Sequence, residues 1–458
     1  MAQFPEKPPA DWNLFLGSGQ AKYLEDMQFV EEVTEYNRRY LSWDDLKYRV
    51  PDPERRKAIW AVMKMYRTIR KEHVPYPPLI LTYTIISEIV KSLHLIDSYL
   101  TGTIRIHNKT IRLEKSYIIN SFMEEAIASS ILEGAATTRS VAKEMLRKGR
   151  KPKNDSEQMV LNNYEAMNFI LDHKDELLTP AILLEIQRLV TKGTIDREAV
   201  GQFRKNNDIV VANPATGVVY HTPPDYRMID EYIKALCTFA NISEQDTGKG
   251  TEDYIHPVIK GIILHFLIGY IHPFNDGNGR TARSLFYWYI ISRGYWLFEY
   301  MPISRIIQRS KKKYSLAYLN TEYDEMDLTY FVLYNLSCID EARRDLLKYL
   351  EDKQTEQNAT KAIIKKIKDI NQREGDILRS MMEHSDEYFT IREIMQKYNT
   401  VYETARTDLL HLADLGYLTK EKRGREFIFT FNENSGLWKL RPKKKNGHKT
   451  GQPGENPP

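Results

Sequence analysis

The sequence predicts a mainly α-helical protein with one small β-hairpin inside its helical body and an α+β module near its C-terminus. Three observations carry this expectation. Apolar residues recur at three- and four-residue spacing through most of the first 350 positions. The stretch 201–225, GQFRKNNDIVVANPATGVVYHTPPD, breaks that rhythm with two β-rich runs, 209–211 and 218–221, around Asn213-Pro214 and Gly217. From 376 to 431 the pattern becomes three short helices followed by two strands joined by KRGRE.

In chain order, 21–42 and 53–72 read as amphipathic helices, and 76–100 follows the Pro77-Pro78 break with the same spacing. Residues 102–114 alternate and predict a hairpin around Asn108-Lys109. A long helix is expected over 114–134, ending at Gly134, then helices over 155–173, 180–192, 226–239, 256–271, 279–293, 310–318 and 328–348. The domain boundaries expected are an N-terminal helical region (1–114), a central body (115–345), a helical linker (346–375), the C-terminal module (376–432) and a disordered tail (433–458). In that module Thr390 and Thr400 stand where helix N-caps belong and Gly416 follows the third helix, so it resembles a winged helix-turn-helix.

With 42% hydrophobic and 28% charged residues, the 458-residue chain has a soluble globular profile. No run of about 18 apolar residues and no secretory leader is visible, so no membrane partner and a cytoplasmic location are expected. The two cysteines, Cys237 and Cys338, lack CxxC or CxxH spacing, which argues against a disulfide framework or a zinc site. The net charge is +4, but Lys439, Arg441, Lys443, Lys444, Lys445 and Lys449 against Glu455 supply +5, leaving −1 for the rest. The body therefore does not advertise nucleic-acid binding.

The chemistry concentrates in IHPFNDGNGRTAR, 271–283. The helix before it is apolar on every face and should be central. Pro273 ends that helix, leaving His272 at its terminus beside a cleft. Gly277 and Gly279 permit a tight turn that brings backbone N–H groups to an anion, and a phosphate suits the helix N-terminus that follows. Arg280 and Arg283 lie one turn apart, both facing outward to the same anion. Asp276 reads as an unpaired acid suited to Mg²⁺ on phosphates. A helix-terminal His or two arginines one turn apart are each ordinarily structural, and only the combined string points to chemistry. No Gly-Lys-Ser/Thr closes it as a Walker A loop. The spacings of His256, His265 and His272 put them at different heights along one helix, which excludes zinc.

HPFNDGNGRTAR matches the Fic motif HxFx(D/E)GNGRxxR without departure, and the resemblance to Fic/Doc proteins extends over about 115–345, including GQFR and DLTYF. It implies a helical Fic fold and transfer of AMP from ATP, with Mg²⁺, to a hydroxyl of a target protein. Gly279, which Doc-type kinases replace with a bulkier residue, favours the AMP-transferring orientation. By resemblance His272 is the general base, Asp276 the Mg²⁺ ligand, and Gly277, Asn278 and Gly279 the anion hole. Arg280 would neutralise the leaving pyrophosphate and Arg283 hold the γ-phosphate. Ile209, Val210 and Val211 resemble the flap that pairs with a target peptide; with Ala212 they are also expected to bind nucleotide, and Tyr314 falls near the adenine-ribose contact. Phe274 reads as a core anchor of the loop.

Ser129, Glu133 and Gly134 in SSILEGA match the family's inhibitory motif (S/T)xxxE(G/N), placed N-terminal to the catalytic loop. A glutamate at a helix C-terminus opposes the dipole, and no flanking lysine compensates it. The resemblance implies that Glu133 pairs with Arg283 and blocks the γ-phosphate. Alternatives stay open: a sensor acting as a DNA-binding regulator, another nucleotide donor such as UTP or a phosphocholine carrier, or AMP removal. For the winged module, Tyr402, Glu403, Arg406 and Thr407 with Lys420, Lys422, Arg423 and Arg425 offer a DNA footprint, diluted by Glu403, Asp408 and Glu421. A protein partner for it and homo-oligomerisation also stay open.

Overall fold

The computed structural model describes residues 5–16, 23, 25–100, 105–106, 109–110, 115–212, 216–242, 254–383, 388–423 and 426–437. The chain divides into two compact units, 1–346 and 347–458, with the boundary inside the helix Thr329–Ile364.

The first unit is built around the helix Pro257–Ile271, buried at every residue except Gly269 and Tyr270. Its neighbour, Asn278–Ser292, is almost as deeply buried. Gly261 lets the two approach, since a Cβ there would stand 2.7 Å from Ile290 Cδ1. The all-round apolar sequence of the first helix thus has the central position it requires. Two residues remain less buried at its C-terminal end, where the site begins.

The region before residue 100 contains the helices Met27–Arg38, Pro53–Ile69 and Ser87–Leu100. The helical pattern expected to continue through 53–72 and 76–100 is corrected by an antiparallel pair, Lys71–Val74 with Leu81–Thr84. Leu-Thr-Tyr-Thr is short, rich in β-preferring residues and wholly buried. Its backbone also bonds across the fold, with Leu328 N–H donating to Thr82 O at 2.8 Å. Such a partner 246 positions away leaves no periodic trace in the sequence.

This N-terminal region shares the first unit with the central body. The fully buried Arg67 guanidinium lies 3.9 Å from the Tyr40 ring centroid and donates to Tyr330 Oη and Leu41 O. Lys64 pairs with Asp324 at 2.6 Å, and Tyr40 Oη donates to Asp327 at 2.6 Å. Asp327 also accepts from the Thr329 backbone, so the DLT of DLTYF opens the next helix as a cap. Short antiparallel pairs occur at Arg105–Ile106 with Lys109–Thr110 and at Val211–Ala212 with Val219–His221. The turn residues Asn108, Asn213 and Pro214 lie outside the described residues.

In the second unit the helix Gln372–Glu383 leads to Phe389–Thr390, helices Ile391–Lys397 and Tyr402–Asp414, and strands Leu418–Arg423 and Glu426–Phe431. The last strand is central in a three-stranded antiparallel sheet. Ile377, Leu378, Met381, Ile394, Leu409, Leu412 and Phe429 form its core, and Ile363, Ile364, Ile367 and Ile370 from the expected linker pack on it. Thr390 caps its helix through a capping box with Glu393. The other expected cap, Thr400, is displaced by Val401, which makes no side-chain capping bond. Arg425 and the basic tail from Lys439 lie outside the described residues.

Candidate active site

The central helix ends at Ile271, and His272 takes the left-handed conformation at φ 48°. A helix end exposes carbonyls that need donors, and here side chains supply them. His272 Nδ1 bonds Gly269 O at 2.9 Å, His221 Nε2 bonds Tyr270 O at 2.7 Å, and Arg204 Nε bonds His272 O at 2.9 Å. A carbonyl only accepts, so Nδ1 carries the proton and Nε2 the lone pair. Burial pushes the His272 imidazole below its ordinary value, which the Gly269 bond only partly offsets. The imidazole is thereby fixed, with Nε2 left able to accept a proton.

Phe274 is fully buried and stacks on Phe203 at 5.4 Å, anchoring the loop in the core. Asn278 Nδ2 donates to Phe274 O at 2.8 Å, and its Oδ1 accepts from Phe274 N–H. The Asn278 side chain therefore staples the loop, leaving only backbone groups for an anion. Gly277 takes φ 85° at the N-cap of Asn278–Ser292, and no side chain caps that terminus. An uncapped helix N-terminus is a ready anion site. A Cβ on Gly277 would stand 2.7 Å from Thr191 Cγ2, in a backbone conformation that L-residues avoid. Gly277→Ala is expected to cost on the order of 3 kcal/mol, read as a lower urea-unfolding midpoint of the full chain.

Two expectations need correction. The arginines do not face outward: Arg280 and Arg283 are 1% and 3% exposed. The helix they share is enclosed by its neighbours, so its arginine face is interior. Nor is Asp276 unpaired. Arg280 reaches back one turn to Asp276 Oδ2 at 2.9 Å and donates to Val190 O at 2.5 Å. Asp276 nonetheless stays half exposed, and its backbone carbonyl accepts from Gln187. Among the described residues no three His, Cys, Asp or Glu side chains form a metal cage. The donor set, one half-exposed carboxylate beside an anion-binding helix terminus, fits Mg²⁺, which takes one or two carboxylates and completes its shell with phosphate and water.

Arg283 meets the helix Lys115–Leu132. Its Nη2 pairs with Glu133 Oε1 at 2.9 Å and its Nε donates to Ser129 Oγ at 2.9 Å. Burial raises the Glu133 carboxyl, but the Arg283 guanidinium more than offsets this and holds it below its ordinary value. Gly134, at φ 100°, closes the helix, with Gly134 N–H on Ile131 O and Ala135 N–H on Ser130 O. Glu133 is thereby set at the last turn. The lysine absent from its flanks comes from elsewhere, since Lys311 Nζ donates to Leu132 O at 2.9 Å. A Cβ at Gly279 would overlap Glu133 Oε1. The motif's second glycine thus leaves the space that Glu133 occupies.

The helix carrying Glu133 is well moored. Glu125 accepts from Tyr287 Oη and Ser304 N–H, both at 2.9 Å, and Glu124 binds Arg139 and Lys143. Tyr314 lies on the Arg283 side of the site, where its hydroxyl bonds His265 Nε2 at 2.8 Å. Burial depresses His265 to about 3 and keeps it neutral. In the flap, Val211 and Ala212 form the strand, while Ile209 and Val210 precede it as irregular chain, with Val210 exposed. The roles of Gln187, Lys311 and His221 have no local signal, because each acts on a segment remote in sequence, whereas Arg204 stands in GQFR.

Residues 177–290 match the Fic/DOC family. The chain is 27% identical over 235 residues to Protein adenylyltransferase Fic of Culex quinquefasciatus, covering 50% of this chain and 42% of that protein. It is 28% identical over 191 residues to Protein adenylyltransferase Fic of Aedes aegypti, covering 41% and 34%. The matched segment thus spans well under half the length of these relatives. In fold, the chain is similar to a Fic family protein from Desulfovibrio desulfuricans G20, with a TM-score of 0.53 at 17% identity, covering 77% of this chain and 98% of that one. The family match over 177–290 encloses the complete HPFNDGNGRTAR loop, so it is this segment that is similar to a Fic domain.

Proposed function

We propose that the protein is an adenylyltransferase that moves AMP from ATP to a hydroxyl of a target protein. The observation that carries this reading is His272, fixed through Nδ1 on Gly269 O, beside an uncapped helix N-terminus that holds two buried arginines. His272 Nε2 takes the hydroxyl proton as the oxygen bonds to the α-phosphorus, the bond from that phosphorus to the β-phosphate oxygen breaks, and pyrophosphate departs. Backbone N–H groups at Gly277, Asn278 and Gly279 receive the phosphate oxygens, and Arg280 and Arg283 neutralise the growing charge. Asp276 would hold Mg²⁺, which would supply further charge neutralisation on the α- and β-phosphates.

The described state is the inhibited one in this reading, with Glu133 on Arg283. Val211 and Ala212 would pair with the target backbone. No described helix is long and apolar enough to cross a membrane. Two free, buried cysteines suit a reducing cytoplasm. Incubation with ATP and Mg²⁺ followed by intact-mass measurement tests the activity. A gain of one AMP supports it, and gains only with another nucleotide redirect it.

For the second unit the reading is a protein-docking module. The start of Tyr402–Asp414 exposes Val401 and Tyr402, and its Arg406 is held by Glu403 at 3.3 Å. No basic residue stands in that first turn. The full chain is expected to show no salt-dependent shift of duplex DNA in a gel; a shift that weakens with salt would instead support DNA binding.

A further inference from the structure

The flap and the catalytic helix meet at His221. This residue closes the strand Val219–His221 and stands opposite Val211 in the register. Its ring is 8% exposed and lies 5.0 Å from the Tyr270 ring. Nε2 bonds Tyr270 O at 2.7 Å and Nδ1 bonds Glu322 Oε2 at 2.8 Å. Both ring nitrogens thus face oxygens, one on the helix end and one on a neighbouring helix. The orphan carbonyl it caps lies two residues before His272, so one side chain fixes the flap strand against the end of the base's own helix. Glu322, on the helix Lys311–Tyr323 and largely buried, orients the ring from the other side.

We propose that His221, held by Glu322, is a positioning residue that sets the flap strand Val211–Ala212 at a fixed distance from His272. A target hydroxyl must arrive within hydrogen-bond reach of the base, and a loosened flap would present it at varied distances. The role concerns the acceptor protein, because neither residue is hydrogen-bonded to the loop 277–283 in the described contacts. The proposal rests on the reading that the flap pairs with the target backbone.

The test uses the full chain carrying Glu133→Gly, with the inactive His272→Ala chain as acceptor. Adding Glu322→Ala is expected to raise the acceptor KM about tenfold, as for loss of one charged hydrogen bond, with the ATP KM unchanged. Glu322→Gln, which keeps an acceptor oxygen, is expected to restore most of the loss. In hydrogen exchange, the amides of 209–212 and 216–221 should open in Glu322→Ala while 258–271 stay protected, which also confirms an intact fold. A His221→Ala, Glu322→Ala double variant should be no worse than the more severe single one. Unchanged flap exchange, or ATP and acceptor KM rising together, would overturn the positioning role. Absence of any transfer by the parent Glu133→Gly chain would instead sink the adenylyltransferase reading, and flap exchange would still decide the positioning one.

Discussion

Glu133→Gly is expected to raise AMP transfer ten- to a hundredfold over the native chain, measured as intact-mass gain per unit time at saturating ATP. The glutamate occupies Arg283 at 2.9 Å and fills the space beside Gly279, where a γ-phosphate would need both. Holding the competent state near ~1% takes only about 2.7 kcal/mol, and close charge pairs couple by about 1.5–7 kcal/mol. Since Glu133 is one-third exposed, the lower part of that range applies. Glycine removes the carboxylate without emptying a core site, and Gly134 next to it still ends the helix. The mooring of that helix through Glu124, Glu125 and Ser121 should keep it in place. Equal rates for native and variant chains would show that the ion pair does not restrain the enzyme.

His272→Ala is expected to abolish transfer, by about 10²–10⁴-fold as for loss of a positioned general base, with ATP affinity preserved. In the proposed reading the phosphate contacts would come from the helix N-terminus and from Arg280 and Arg283, none of which is hydrogen-bonded to the imidazole. Nucleotide titration of the variant separates the two effects. Burial lowers the His272 value, and the base works only when neutral, so activity should hold through mildly acidic pH. It should fall as pH drops through a value below the ordinary imidazole one. A fall already centred on that ordinary value would mean that the ring is more solvated than its burial implies.

Much of the site was legible because its chemistry is local. His272, Asp276, Gly277, Asn278, Gly279, Arg280 and Arg283 lie within twelve consecutive residues, and the turn, the helix start and the anion preference follow from that string. The central helix was equally clear, since only burial on all sides accommodates Val258 to Ile268. Illegible were features that depend on a distant partner. The strand Leu81–Thr84 falls in a stretch whose spacing predicts helix, because its backbone bonds reach Lys71–Val74 and residue 328. The sequence leaves Asp276 unpaired and the arginines outward, because helix spacing gives an angle around an axis and not what packs on it.

What the sequence determined by itself was therefore the reactive loop, its helical setting and, through Ser129-x-x-x-Glu133-Gly134, a suspected restraint. Tertiary structure decided which groups are free to act. It buried both arginines, bound Asp276 to Arg280, brought Glu133 to Arg283 across 150 positions, and capped the end of the base's helix with His221 and Arg204. The physical reason is one of range. Turn chemistry and helix capping act over a few residues, whereas desolvation and ion pairing depend on whatever the fold brings within a few ångströms.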